Sequence, residues 1–534
     1  MKDLNVVESY PQKGASNKMG NYRWTICAML FFATTINYLD RQVLSLTWKD
    51  FIAPEFHWTN NDYGNITALF SIFYAASMLF AGRFVDWLDT KKGFLWAIGI
   101  WSVGACLHAY CGIATSGIVT GNWLVGFEGA KESLETVSDT ATVITTSVAL
   151  FIFARFVLAV GEAGNFPAAI KATAEYFPKK DRAFATSIFN AGATVGALAA
   201  PVTIPFIAAA WGWEMSFIVI GALGFVWMGF WVFIYNKPED HPRVNAEELA
   251  YIQQDIIADR KLADYVEPTA TKASFMDCFK YKQTWAFAFG KFMTDGVWWF
   301  FLFWTPAYLS SVYQMDSTES ALPLFVLYMI TLLSIIGGWL PTYFVDKKGM
   351  NPYEGRMRAM LIFAFFPLLA LLAQPLGQVT YWIPVIIIGI AGAAHQAWSA
   401  NIFTTVGDMF PKKAIATITG IGGLAGGIGS TLINKGSGVL FDFTQRNWST
   451  INGESFLEKY PQFQDPETGK AFLHEKGVAN LEEFLRQLSA SGETVVNGVN
   501  SGYMIIFSIC AVCYLIGWIV MKSLVPKYKP ITDL

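Results

Sequence analysis

The sequence predicts an all-α membrane protein: twelve transmembrane helices in two pseudo-symmetric six-helix bundles. Three observations predict it. Of 534 residues, 54% are hydrophobic and only 15% charged, whereas a soluble domain carries about 25% charged residues. Apolar stretches of about 18 residues or more recur along the chain, each long enough to cross a bilayer as a helix. Motifs also recur at matching helix breaks. "EYFPKKDRAFAT" at 175–186 answers "DMFPKKAIATIT" at 408–419, and "GRFVDWLDTKKG" at 82–93 answers "PTYFVDKKG" at 341–349.

The chain opens with a polar tail, 1–21, that lacks the apolar core of a cleavable signal, so the first span is expected to act as an uncleaved anchor. An N-terminal bundle, 22–236, follows. Its spans are expected near 22–48, 62–85, 94–115, 147–173, 184–210 and 214–236. A charged linker, 237–283, with an amphipathic helix near 245–261, joins it to a C-terminal bundle, 284–525. The second six spans are expected near 284–311, 321–344, 357–376, 380–406, 414–440 and 501–524, before a tail at 526–534.

Lys13, Lys18, Arg23, Lys91, Lys92, Lys179, Lys180, Lys347, Lys348, Lys412 and Lys413 fall on one side of this topology. Basic residues mark the cytoplasmic side, so both termini are expected there. The insertions 111–146 and 441–500 are expected on the opposite side, the second carrying the helical pattern "NLEEFLRQLSA". Cys510 and Cys513 form a CxxC inside an apolar run and read as small hydrophobes. No basic stripe for nucleic acid, disulfide framework, metal-ligand cluster or GxxxxGK[ST] phosphate loop stands out. No enzyme, cofactor or metal is expected.

Charges inside spans are costly and normally face a cavity or a partner. Asp40 and Arg41 lie in the first span, Asp40 roughly 24 Å along it at about 1.5 Å per residue. An arginine holds a carboxylate with two parallel hydrogen bonds. Asn37 and Arg41 share a helix face, while Asp40 points about 100° away. Arg155 and Glu162 in span four are seven residues apart and so face the same way. Glu162 either carries a proton or only pairs with Arg155; Asp40 and Arg41 either serve transport or tie helices together.

Span seven carries Lys291, Asp295, Trp298 and Trp299. Lys291 and Asp295 either neutralise each other or meet substrate, and the tryptophan faces suit sugar rings. Subtracting the repeat offset places Asp295 opposite Tyr38. Span ten gathers His395, Gln396, Trp398, Ser399 and Asn401, a hydrogen-bonding capacity suited to sugar hydroxyls. His395 reads equally as a packing histidine.

These residues carry a family resemblance. Gly82, Asp86 and Lys91, with Asp346 in the repeat, resemble the loop signature of the major facilitator superfamily. "NYLDR" at 37–41, "RFVLAVGEAGNFPA" at 155–168 and "FPKKDRAFATSIFNAG" at 177–192 resemble its anion:cation symporter branch. "KFMTDGVWWFFLFW" at 291–304 and "AGAAHQAWSANIFTTVGDMFPK" at 391–412 resemble bacterial hexuronate transporters.

The resemblance implies a midplane site between two bundles that rock against each other. It implies Asp40 and Glu162 as the proton-coupling pair and Tyr74 as a substrate contact, although an aromatic at that spacing also suits packing. Arg155, Asp295 and the loop residues would be structural or gating. Two departures shift the sugar contacts: Ala193 stands where relatives specific for other sugar acids carry glutamine, and span eleven is glycine-rich, with Asn434 further along.

The expected function is proton-coupled symport of a hexuronate, such as glucuronate or galacturonate. A monomer in the bacterial cytoplasmic membrane is expected. Symport of an aldonate or aldarate is the nearest alternative; an organophosphate antiporter and a membrane sugar-acid sensor are more distant ones.

Overall fold

Apolar runs need every backbone group bonded internally, and helices supply that. The computed structural model describes residues 19–254 and 275–531. It contains twelve helical passes. Span one is Tyr22–Thr47, span two Asn60–Leu88, span three Thr90–Ala109 continued by Cys111–Thr120, and span four Thr140–Glu162 continued by Asn165–Tyr176. Span five is Lys179–Ala199 continued by Ile204–Trp211, and span six is Trp213–Ile234. The second half repeats the layout with Lys282–Tyr313, Ala321–Lys348, Pro352–Gly377, Trp382–Met409, Lys412–Trp448 and Val499–Leu524 as spans seven to twelve.

Several breaks are written in the sequence. Span three bends by 51° at Tyr110, and span five by 43° before Ile204, next to Pro201 and Pro205. Span two starts at a capping box between Thr59 and Asp62. Asp89 takes the left-handed φ of 70° that separates spans two and three. Seven of the helices are long and apolar enough to cross a membrane, nine if each bent pair counts as one span. Spans one, seven and eleven are the three that fall outside that set.

The two halves are built alike. Span one lies on five as seven lies on eleven, and one lies on six as seven lies on twelve. Three lies on four as nine lies on ten, and two on four as eight on ten. Between the halves, span two runs along span eleven, span one meets seven, and span five meets eight. Glycines permit the closest crossing. A Cβ on Gly438 of span eleven would sit 2.5 Å from the Asn60 carbonyl oxygen.

We call the side bearing Tyr22 and Leu524 the terminal face. The linker helix Ala246–Ile252 docks there: Glu248 accepts from the Tyr22 and Arg23 backbone nitrogens and pairs with the Arg23 guanidinium at 3.1 Å. The helix expected over 245–261 is described only to residue 254, and Lys13 and Lys18 also lie outside the described residues. Of the loop residues, Lys91 donates to Asn236 at 3.0 Å, Gly82 has open space about it, Asp86 lies in span two, and Asp346 is exposed in the last turn of span eight.

Both insertions are shorter than expected. Helix covers 111–120 and resumes at Thr140, because "CGIATSGIVT" and "TATVITTS" extend the neighbouring spans. Only 121–139 is excursion, with one helix, Phe127–Glu135. Span eleven likewise runs on to Trp448. Residues 449–498 then fold into a cap with its own core of Ile451, Phe456, Phe463, Leu473, Val478, Phe484 and Leu485. Its three two-residue strands pair antiparallel in the order Glu454–Ser455, Thr450–Ile451, Val495–Val496. The helical reading did not anticipate this small sheet.

Candidate functional site

Span one brings Arg41 into the centre of the molecule, 4% exposed. Its Nε and Nη2 both donate to Glu162 Oε2 of span four, at 3.0 and 2.7 Å. Three rings close round the guanidinium: Tyr74 at 4.7 Å, Trp299 at 5.0 Å and Tyr38 at 5.1 Å from their centroids. Desolvated cation–π contacts contribute up to about 2 kcal/mol each. Trp299 belongs to span seven, so this cage crosses between the halves. All three rings are half-buried.

The Arg155–Glu162 pair that the spacing allowed is not formed. Both side chains do turn inward, but Glu162 is taken by Arg41. Arg155 lies over the Phe70 ring at 5.2 Å with its Nη1 unpartnered. Asp40 is 1% exposed, among Glu162, Arg155 and Arg41, and neither carboxylate oxygen has a hydrogen-bond partner. Asn37, Asn165 and Glu162 Oε1 are buried and unpartnered as well. An unsatisfied buried polar group costs about 1–3 kcal/mol. Their concentration within the N-terminal half, beside the Arg41–Glu162 pair, marks a centre that folding alone would not favour.

The second half contributes less to this centre. Lys291 is paired with Asp295 at 2.7 Å and lies over the Phe403 ring at 4.1 Å. Trp298 stacks on His395, 5.3 Å and 3° from parallel, and His395 Nδ1 is hydrogen-bonded to the Tyr514 hydroxyl of span twelve at 2.8 Å. Asn401 donates to the Gly337 and Ala397 carbonyls, bracing span eight against span ten. Trp398 is fully buried, edge-on to Tyr514. Gln396 and Ser399 stay half-buried. The structure therefore brings Arg41, Glu162 and Tyr74 together, with Asn37 and Asp40 next to them, and keeps His395, Trp398 and Asn401 within the packing of the C-terminal half.

Hydrogen bonds between the halves gather on the cap side of Arg41. Tyr63 stacks on Trp48 at 4.1 Å and donates to the Phe303 carbonyl at 2.9 Å. Ser71 meets Ser430 at 3.0 Å, and Lys435 donates to Asn61 and Asn65. Asp442 accepts from the Asn60 and Asn61 backbone nitrogens at 3.0 and 2.8 Å. Asp50 accepts from Ser310 and Ser317 of the other half.

The cap adds a bridge over this seal. Glu482 pairs with Lys49 at the end of span one and accepts from Ser311 of span seven. Arg486 donates to the Ser310 carbonyl at 3.0 Å, and His57 donates to the Ala479 carbonyl at 3.1 Å. None of these partners was marked by the sequence, since each is a polar residue at a span end or in a loop.

Residues 30–433 match the family model described as Major Facilitator Superfamily. The hexuronate transporter of Escherichia coli K12 is 27% identical over 430 residues, covering 80% of this chain and 89% of that protein. The galacturonate transporter of Dickeya chrysanthemi is 25% identical over 335 residues, covering 62% and 86%. A crystal structure of a bacterial homologue of the human lysosomal transporter Spinster, inward-facing and occupied, superposes with a TM-score of 0.63 at 18% identity. That alignment covers 96% of this chain and 97% of the other, so the fold is shared across the whole length.

Proposed function

The chain belongs to the major facilitator superfamily and is a multi-pass membrane transporter, not an enzyme; from that premise we propose that it imports a hexuronate together with a proton by alternating access. One observation carries the reading: among the described residues, the charged partner Arg41 holds is the carboxylate of Glu162, inside an aromatic cage shared by both halves. A sugar-acid carboxylate and the Glu162 carboxylate compete for the same guanidinium fork. A proton on Glu162 ends that competition. It also cancels the charge that the incoming anion would otherwise add to a buried site. Substrate and proton then enter as a pair, and Asp40, buried beside Arg155, is the second proton site. Tyr74 and Trp299 offer ring faces to the sugar, with Asn37 close by to take a hydroxyl.

The basic loops support a cytoplasmic terminal face. On that orientation the hydrogen-bonded seal between the halves faces outward, away from the cytoplasm of a bacterial cell. The names of the relatives support a hexuronate, with other sugar acids as the alternative class. A phosphate-ester exchanger needs a free cation from each half, and Lys291 is held by Asp295.

Proteoliposomes given an inward proton gradient and labelled glucuronate, galacturonate, galactonate or galactarate test the reading. Accumulation of one of them above equilibrium, abolished by a protonophore, is expected. Equilibration that ignores the gradient would overturn the coupling, and no uptake of any of the four would overturn the substrate class.

A further inference from the structure

A cavity of about 440 Å³ lies between the cap and the cap-face ends of spans one, two and eleven. Small-molecule sites run from about 300 to 1,000 Å³. Its acids are already satisfied. Asp442 takes the Asn60 and Asn61 donors, Asp62 those of Thr59, and Glu482 those of Lys49, Arg486 and Ser311. Gln445 and Arg446 bring donors to the wall that no protein group among the described residues takes. Gln445 is 3% exposed and its Nε2 has no hydrogen-bond partner. Arg446 beside it lines the cavity, and among the described residues no ion pair or hydrogen bond engages its guanidinium. Trp58 and Phe443 supply apolar wall, and Lys470 and Asn480 complete it from the cap.

An unengaged guanidinium, a buried amide donor and aromatic wall suit one kind of ligand: a small anion with hydroxyl acceptors and an apolar ring face. We infer that this cavity is a cap-side binding site for a carboxylated sugar, with the carboxylate on Arg446 and a ring oxygen or hydroxyl on Gln445 Nε2. The inference rests on the sugar-acid reading of the central site, but uses none of its residues. The cavity walls come from the segment that follows span one, the start of span two, span eleven and the cap, so a ligand here sits over the closed seal, upstream of Arg41.

The test uses the full-length chain with Arg41→Ala, which disables the central anchor, and labelled D-glucuronate as the probe. Saturable binding is expected to persist, to resist competition by D-glucose, and to weaken about tenfold or more when Arg446→Ala is added. Arg446→Lys, which keeps the charge and loses the planar fork, is expected to fall between. In the otherwise unaltered chain, Arg446→Ala is expected to raise the KM for uptake while leaving the maximal rate near normal. Normal uptake combined with no saturable binding in Arg41→Ala, or with binding indifferent to Arg446, overturns the cap-side site and leaves the transport reading standing. Arg446-dependent binding in a protein that transports none of the sugar acids supports the site and overturns the transport reading.

Discussion

Replacing Glu162 with glutamine separates the two partners competing for Arg41. The wild-type carboxylate accepts two charge-assisted hydrogen bonds, at 2.7 and 3.0 Å, with the two side chains 5% and 0% exposed. Hydrogen bonds to charged groups contribute about 1.5–3 kcal/mol each, and neutral ones about 0.5–1.5. Glutamine keeps one carbonyl acceptor and loses the charge, so its hold on Arg41 weakens by about 2–3 kcal/mol over the two bonds. At about 1.4 kcal/mol per tenfold, substrate should bind the Glu162→Gln protein roughly 30- to 150-fold more tightly.

The pH dependence has a fixed sign. If substrate and proton enter as a pair, wild-type binding should take up a proton, and affinity should rise as pH falls, by up to about tenfold per unit. The variant has no such proton to take and should be flat. Scintillation proximity binding of labelled glucuronate to purified protein across a pH series measures both quantities. Exchange of external for internal hexuronate should survive, because it needs no proton release, while gradient-driven uptake should collapse. A Glu162→Gln protein that binds no more tightly than wild type and keeps the wild-type pH slope would refute the competition.

Arg41→Lys should lose about tenfold or more in glucuronate affinity, since an ammonium reproduces neither the planar fork nor the stacking within the Tyr38, Tyr74 and Trp299 cage; titration of purified protein measures it. Gly438→Ala would place a Cβ 2.5 Å from the Asn60 carbonyl, so the cap-face seal should open and a cysteine at Asn65 should label faster from the cap side. Cap docking should weaken in acid in two stages. Burial holds His57 below its ordinary 6.5, partly offset by its bond to Ala479, so the docked form favours the neutral ring and loses stability as pH falls below about 6.5. Burial pushes the Glu482 carboxyl up, but Lys49 and Arg486 outweigh it and hold the group below its ordinary 4.5, so that contribution, present at neutral pH, is lost only as pH falls below about 4.5. Hydrogen exchange across Pro466–Glu475 and Leu481–Ala490 should report both stages. In cells, an impermeant thiol reagent should label a cysteine at Lys470 and not one at Lys412; the reverse would invert the orientation.

The twelve passes and the duplication were legible because bilayer-length apolar runs and the FPKK breaks are local signals. Arg41, Asp40 and Glu162 were legible for the same reason: a charge in such a run stands out without any knowledge of the fold. Their pairing was not. Spacing along span four says that Arg155 and Glu162 share a face, but Arg41 lies 121 residues from Glu162 and reaches it only through the packing of span one on span four. His395 shows the same limit. The sequence places a polar group at depth, and the rotation of span ten towards Tyr514 decides that it bonds inside the bundle. Trp299 entered the cage, and not its neighbour Trp298, by the same rotational choice on span seven. The cap's role was illegible because Lys49, Glu482 and Arg486 look like ordinary charges at a helix end and in a solvated loop.

Spans one, seven and eleven are the passes that fail a test of length and hydropathy. That failure bears on how the chain is made. An aspartate or arginine at mid-span raises the cost of entering lipid by about 2.5–3.5 kcal/mol each. A solitary first helix carrying Asp40 and Arg41 is therefore a poor candidate for release from the insertion machinery. The carboxylate that holds Arg41 is translated 121 residues later, in span four. Biogenesis should then wait, with the nascent N-terminal helices retained at the translocon until span four arrives. Substitutions that remove Glu162 without supplying an acceptor, such as Glu162→Leu, should show up as accelerated degradation of the newly made protein, in addition to any effect on transport.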